Sequence, residues 1–394
     1  MIILGVTVLA AAALVHPRLS RARLWRATIT PLASIIGSGF LVLGPILEGS
    51  YGLYAPGIML ALCAIAYLFG GAIRFNMARI GSETDQRPPA EARLESLASW
   101  TLCFAYVVSV AYYLNLFGAF GVSLTPVDDT FHARLLSSAV FILILLIGWT
   151  RGFSAMERLE QVSVGIKLSI IAGLLGGLVL FFARQTSAGE LSFADPAVTP
   201  WAGLTLAFGL IVTVQGFETS RYLGETYDVR TRIRSMKLAQ ALATAIYMLY
   251  ICLLAYALPS GTMSMDETAI IDAMQIVAPI LPILLVVAAL SAQLSAAVAD
   301  TSGSGGLIAE LTSGKVTTRQ GYAVLVFAGL VMTWTTDVFE IISYASRAFA
   351  LYYALQGAIA VLGAWRDRDP VRLALFGTAT LLAMIIVLFG RSVE

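Results

Sequence analysis

Residues 30–47 read TPLASIIGSGFLVLGPIL, and residues 206–225 read LAFGLIVTVQGFETSRYLGE. Each belongs to an apolar stretch of membrane-crossing length, and each is interrupted near its middle. Gly37-Ser38-Gly39 breaks the first, and Gln215-Gly216-Phe217-Glu218 breaks the second. Hydrocarbon offers no partner to a backbone N–H or C=O, so an unwound turn at the midplane survives only where protein, solute or ion meets its polar groups. The N-terminus of a half-helix there favours an anionic group. A lone glycine cluster also reads as a close-packing site between membrane helices. Two clusters, five spans apart and entering the membrane from opposite sides, form the pattern of an inverted-repeat transporter with its binding site at the breaks. The expected substrate-binding residues are therefore Ile36, Gly37, Ser38, Gly39, Gln215, Gly216, Phe217 and Glu218.

The composition agrees with a membrane setting. Of 394 residues, 58% are hydrophobic and 12% charged, with a mean hydropathy of +0.84. A soluble domain carries about 25% charged residues to coat its surface. Disordered, coiled-coil, collagen-like and disulfide-scaffold classes fall with the same numbers. At about 20 apolar residues per crossing, spans are expected near 26–47, 52–78, 97–122, 133–150, 161–183, 201–222, 236–258, 277–302, 321–336, 339–364 and 371–390. These eleven make an all-α polytopic membrane protein. Residues 1–15, MIILGVTVLAAAALV, form a further apolar run without a basic leader. A retained short helix, spanning or interfacial, is expected there rather than a cleaved signal peptide.

Net charge is +1, so placement carries the information, and no nucleic-acid partner is expected. Of the 25 basic residues, 22 are Arg, and 21 lie at or near one side of the predicted spans. That side is expected to be cytoplasmic and the membrane the cell (inner) membrane. Cys63, Cys103 and Cys252 lie within apolar runs and read as small buried hydrophobes. His16 and His132 sit near segment ends, which suits neither a His-rich metal site nor a haem, and no cofactor is expected. The longest cytoplasmic excursion, GSETDQRPPAEARLES (81–96), has a second half that suits a short amphipathic helix. TMSMDETAIIDAMQIV (262–277) reads either as an external amphipathic helix over a pathway or as a solvated connector.

On these residues the chain resembles the amino acid–polyamine–organocation (APC) superfamily, with the leucine-transporter fold of five plus five inverted helices. Gly37-Ser38-Gly39-Phe40-Leu41 is similar to the family's break in core helix 1. Gly216-Phe217-Glu218 and Gly224-Glu225 are similar to its core helix 6 element. Arg158 and Lys167 have the spacing that several members show in core helix 5. The resemblance covers about residues 24–390. It implies a first repeat over 24–184 (core helices 1–5) and a second over 199–365 (core helices 6–10). Residues 366–394 then hold core helix 11 and a tail, and residues 1–23 an apolar segment followed by a basic stretch. The chain departs from the family in two respects. Glu225-Thr226-Tyr227-Asp228 stands where members have an acidic-Asn-Pro ending, and core helix 11 is the last helix where many have a twelfth, with an extra apolar segment in front.

Charges inside spans are costly and are functional candidates by default. Lys167 is one of three lysines in the chain, and a desolvated lysine can lose its proton where arginine effectively cannot. The resemblance implies that Lys167 takes the place of a sodium ion bridging core helices 1 and 8, which favours proton coupling; the alternative is a lysine snorkelling to the interface. Glu218 is expected to bind a substrate amine, carry a proton or cap the second half-helix. Asp300, ending the polar run Ser291, Gln293, Ser295, Asp300, Thr301, either pairs with Lys167 or lies in the cytoplasmic mouth. Lys167, Asp300 and Ser295 form the expected coupling set. Arg347 is the candidate outer gate, paired with Glu48 or Asp337, or else an interfacial arginine. Tyr106, Tyr113 and Asn115 are weaker candidates to line the site.

The leading reading is a secondary active transporter of an amino acid or related small amine. It works as a proton-coupled symporter or exchanger by alternating access, with a small solute, protons and the lipid bilayer as partners. The solute carboxylate is expected on the Gly37–Gly39 amides, and the amine on break carbonyls and Glu218. Three alternatives stand beside it: an inorganic-ion or metal transporter of the same fold, a non-transporting solute sensor, and a membrane enzyme. No HExxH, GxSxG or intramembrane histidine favours the enzyme.

Overall fold

The computed structural model describes residues 2–37, 39–80, 88–150, 153–223, 226–258 and 266–392, with backbone alone for 80 and 153–162. Ser38, Gly224, Glu225 and the side chain of Arg158 lie outside the described residues, as do 81–87 and 262–265 of the two expected amphipathic segments. Among the described residues the chain is helical without strands. In order the helices are α1 (Ile2–Val15), α2 (Pro17–Ser20), α3 (Arg23–Ile35), α4 (Gly39–Tyr51), α5 (Ala55–Ile80), α6 (Pro89–Val122), α7 (Thr130–Thr150), α8 (Phe153–Ala188), α9 (Pro200–Gly209), α10 (Val229–Ala257), α11 (Ala269–Val277), α12 (Leu281–Leu311), α13 (Thr318–Thr335), α14 (Val338–Arg366) and α15 (Pro370–Phe389).

Eight helical runs among the described residues are long and apolar enough to cross a membrane. The other three expected spans are α13, which is 18 residues long, and the two interrupted ones. The first interrupted span is α3 with α4. The second is α9 with two 3₁₀ turns, Ile211–Val214 and Phe217–Tyr222. Helix starts follow local chemistry. Thr199 caps α9 by accepting the Ala202 N–H, with Pro200 as its first residue. Thr317 with Gln320, and Asp337 with Glu340, form capping boxes on α13 and α14.

α6 packs against both α12 and α14, α10 against α3 and α5, and α8 against α12. Residues 2–15 form a helix lying on α8, where Ile3, Val6 and Thr7 of α1 seat on Gly173, Gly176 and Gly177. At 14 residues, α1 is about 21 Å long, short of a hydrocarbon core of about 30 Å. The second half of 81–96 is the opening of α6 rather than a separate helix. α11 buries Ile270, Ile271 and Met274, as its amphipathic pattern predicts, and packs on α4 and α12.

Candidate functional site

Each break leaves helix-end groups without intrahelical partners, and side chains from distant helices meet them. At the end of α3, the Lys167 ammonium on α8 donates to the Ala33 carbonyl at 2.6 Å. The Tyr247 hydroxyl on α10 lies 2.8 Å from the Ile35 carbonyl. At the second break the Ser346 hydroxyl on α14 donates to the Gly209 carbonyl at 2.5 Å and accepts the Val212 N–H at 3.0 Å. The Thr213 carbonyl also faces the Tyr247 hydroxyl, at 2.6 Å. Gln215 is extended, and Gly216 turns the chain at φ +110°.

The two breaks cross in contact. A Cβ on Gly39 would stand 2.8 Å from both Cα and Cβ of Thr213. A Cβ on Gly216 would stand 2.4 Å from the Ser34 Oγ and 2.7 Å from the Ser34 carbonyl carbon. Glycine is required at the first position for room, and at the second for room and for its positive φ. The pairing is reciprocal, since each break's glycine rests on the other half of the molecule.

Beside this crossing Glu218 is fully buried. Its Oε2 accepts the Gly216 N–H and the Tyr353 hydroxyl, each at 3.0 Å. Phe217 stacks on the Tyr353 ring with centroids 5.3 Å apart, and Tyr353 stacks in turn on Phe69 at 5.0 Å. Gln215 donates its Nε2 to the Tyr113 hydroxyl at 2.9 Å. Among the described residues three buried oxygens of the crossing make no hydrogen bond: Ser34 Oγ, Gln215 Oε1 and Glu218 Oε1. An unmet buried acceptor costs about 1–3 kcal/mol, more when charged. The arrangement is therefore suited to a ligand that brings N–H donors.

The remaining expected residues lie as follows. Ile36 and Lys167 are fully buried. Asp300, buried on α12, accepts the Ser109 hydroxyl from α6. The Ser295 hydroxyl bonds back to Ala292 of its own helix at 3.2 Å. Glu48 is buried on α4. Among the described residues no ion pair joins Arg347 to Glu48 or Asp337. Its guanidinium instead donates through Nε at 3.0 Å, and through Nη2, to the carbonyl of Gly390, the residue that ends α15. A helix end offers free carbonyls, and an arginine fork meets one without any carboxylate. Of the three weaker candidates, Tyr113 lies at the break, while Asn115 turns to Thr333 on α13 at 2.9 Å.

Tyr247, Tyr353 and Ser346 were not legible in sequence. Tyrosine in a membrane helix ordinarily reads as packing or an interface anchor, and no local motif marks these three.

The Arg-rich end of the bundle is tied by ion pairs. Arg221, on the inner half of the second broken span, pairs with Glu95 of α6 and is itself held by Arg232, which donates to its carbonyl at 2.5 Å. Arg23 of α3 reaches Asp228 at 3.3 Å, Arg366 reaches Glu91 at 2.8 Å, and Arg79 reaches Asp367 at 3.2 Å. The Asp228 carboxyl is held below the usual carboxylate range by the Thr231 N–H and hydroxyl, with Arg23 adding to the effect.

A family model described as an APC superfamily transporter matches residues 17–390. A protein of Aquifex aeolicus (strain VF5), itself described only as uncharacterized, is 40% identical over 385 residues, covering 96% of this chain and 93% of that one.

Proposed function

Because this chain belongs to the APC superfamily of transporters, we propose that it is a secondary active transporter of an amino acid or related small amine, coupled to protons as a symporter or exchanger. The observation that carries the reading is the crossing of the two breaks, where Ser34 Oγ, Gln215 Oε1 and Glu218 Oε1 are buried with no hydrogen-bond partner among the described residues. In this account the solute carboxylate rests on the amides at the start of α4, where the half-helix N-terminus favours negative charge. The ammonium group turns to Glu218 Oε1 and Gln215 Oε1.

Alternating access follows from what each half-helix is fastened to. The last turn of α3 is held by Lys167 through the Ala33 carbonyl. Loss of the lysine proton weakens that charge-assisted bond, and α3 is then free to swing with the inner half of the second broken span. In this account the Arg221–Glu95 pair closes the cytoplasmic path, and the exposed Arg23–Asp228 pair lies at its rim. The moving bundle in this proposal is α3–α4, α5, α9 with its 3₁₀ turns, and α10, rocking against α6, α7, α12 and α13. The two inverted repeats of the proposal are 24–184 and 199–365, set in the cell membrane.

The test is thermal unfolding of purified protein against pools of amino acids and amines, with and without sodium. A solute that binds only the folded protein adds about 2.7 kcal/mol at 100 times its Kd, a clear rise in midpoint. The reading expects at least one pool to stabilise without sodium, and Glu218→Gln to lose the response to amines. Stabilisation by inorganic ions alone would sink it.

A further inference from the structure

Tyr247 is fully buried, and its one hydroxyl faces two backbone carbonyls, Ile35 at 2.8 Å and Thr213 at 2.6 Å. A phenol carries one proton, so the two carbonyls share it. The two carbonyls belong to different breaks: Ile35 ends α3, and Thr213 lies in the first 3₁₀ turn of the second broken span. A small cavity of about 10 Å³ is lined by Tyr247 together with Ile35, Val214, Gln240 and Thr244 among others. That is room for a group the size of one water.

We infer that Tyr247 is the positioning residue of the crossing. By sharing its proton between the two carbonyls it ties the ends of both breaks together.

Tyr250, one turn along α10, provides the comparison. Its ring packs on Phe40 with centroids 4.3 Å apart, against 5.6 Å for Tyr247, but its hydroxyl reaches a single carbonyl, Leu41, at 3.5 Å. Tyr247→Phe and Tyr250→Phe thus remove the same atom from neighbouring turns, and only the first loosens both breaks.

The experiment is amide hydrogen–deuterium exchange on the intact protein in lipid nanodiscs. Tyr247→Phe is expected to speed exchange by about tenfold or more in both 33–41 and 212–219, with the rest of α10 unchanged. Tyr250→Phe is expected to leave both segments as in the wild type. Acceleration at one break alone, acceleration spread along α10, or equal behaviour of the two variants would each overturn the tie. In the thermal-unfolding assay Tyr247→Phe is expected to lose at least half of the response to a solute pool that stabilises the wild type, and Tyr250→Phe to keep it; equal responses of the two variants overturn the positioning role. Silence of the wild type towards every amino acid and amine overturns the proposed function, while the exchange result stands by itself.

Discussion

Replacing Gly216 with alanine tests the crossing at its tightest point. Two costs add. The backbone sits at φ +110°, where an L-residue is strained, at about 1–3 kcal/mol. The new Cβ would also lie 2.4 Å from Ser34 Oγ and 2.7 Å from both Ser34 Cβ and its carbonyl carbon, an overpacking of about 1–3 kcal/mol. The sum, about 2–6 kcal/mol, is a large share of the 5–15 kcal/mol that typically holds a folded domain. Only part can relax, because one of the three close atoms is backbone. Removing the Ser34 side chain in Ser34→Gly/Gly216→Ala takes away the other two contacts and leaves the φ strain, so that pair should recover about half of the loss. Thermal unfolding in detergent reads the stability, and solute exchange in vesicles reads the function. Gly57→Ala supplies the neutral reference, since a Cβ there meets nothing within 4 Å. A Gly216→Ala protein as stable and as active as the wild type would refute the crossing.

Lys167→Arg keeps the charge beside the Ala33 carbonyl but not the ability to release its proton; it is expected to abolish proton-coupled uptake, and full uptake would remove Lys167 from the coupling role. Tyr353→Phe withdraws one of two donors to Glu218 Oε2, and should lower apparent affinity for amines by about 10-fold, from a net charged hydrogen bond of roughly 1.5 kcal/mol, with little effect on folding. For Asp228 the folded carboxyl titrates below its ordinary value of 3.8. Its contribution is therefore complete above that value and lost as pH falls through the lower one. The stability gap between wild type and Asp228→Asn should be flat near neutrality, close in acid, and shrink with added salt because the pair with Arg23 is exposed; a gap that widened on acidification would contradict this. Arg347→Leu leaves the Gly390 carbonyl without its donors, and is expected to cost about 1–3 kcal/mol of stability, read as a lower unfolding midpoint; an unchanged midpoint would show that the contact contributes nothing.

The parts of this molecule that sequence reveals are those written in residue identity. Gly39 and Gly216 betray the breaks because only glycine tolerates such close approach, and Lys167 stands out as one of three lysines in a chain whose basic residues are mostly arginine. The apolar runs locate the helices, even where α13 and the two broken spans are weaker than the rest. What stays hidden is chemistry carried by backbone. The acceptors for Lys167, Tyr247, Ser346 and Arg347 are carbonyls of Ala33, Ile35, Thr213, Gly209 and Gly390. A carbonyl has no letter in the sequence, so a search for complementary side chains pairs Arg347 with an acid when its partner is a helix end. The contact between Gly39 and Thr213 is equally invisible until the two broken spans are laid across each other.

The most direct measurement is counterflow in proteoliposomes. Vesicles are loaded with pooled unlabelled amino acids or amines, and entry of labelled solute is followed with and without sodium. The account expects sodium-independent accumulation with at least one pool, lost in Gly216→Ala. Silence across every pool from demonstrably folded protein, or uptake that requires sodium, would contradict it.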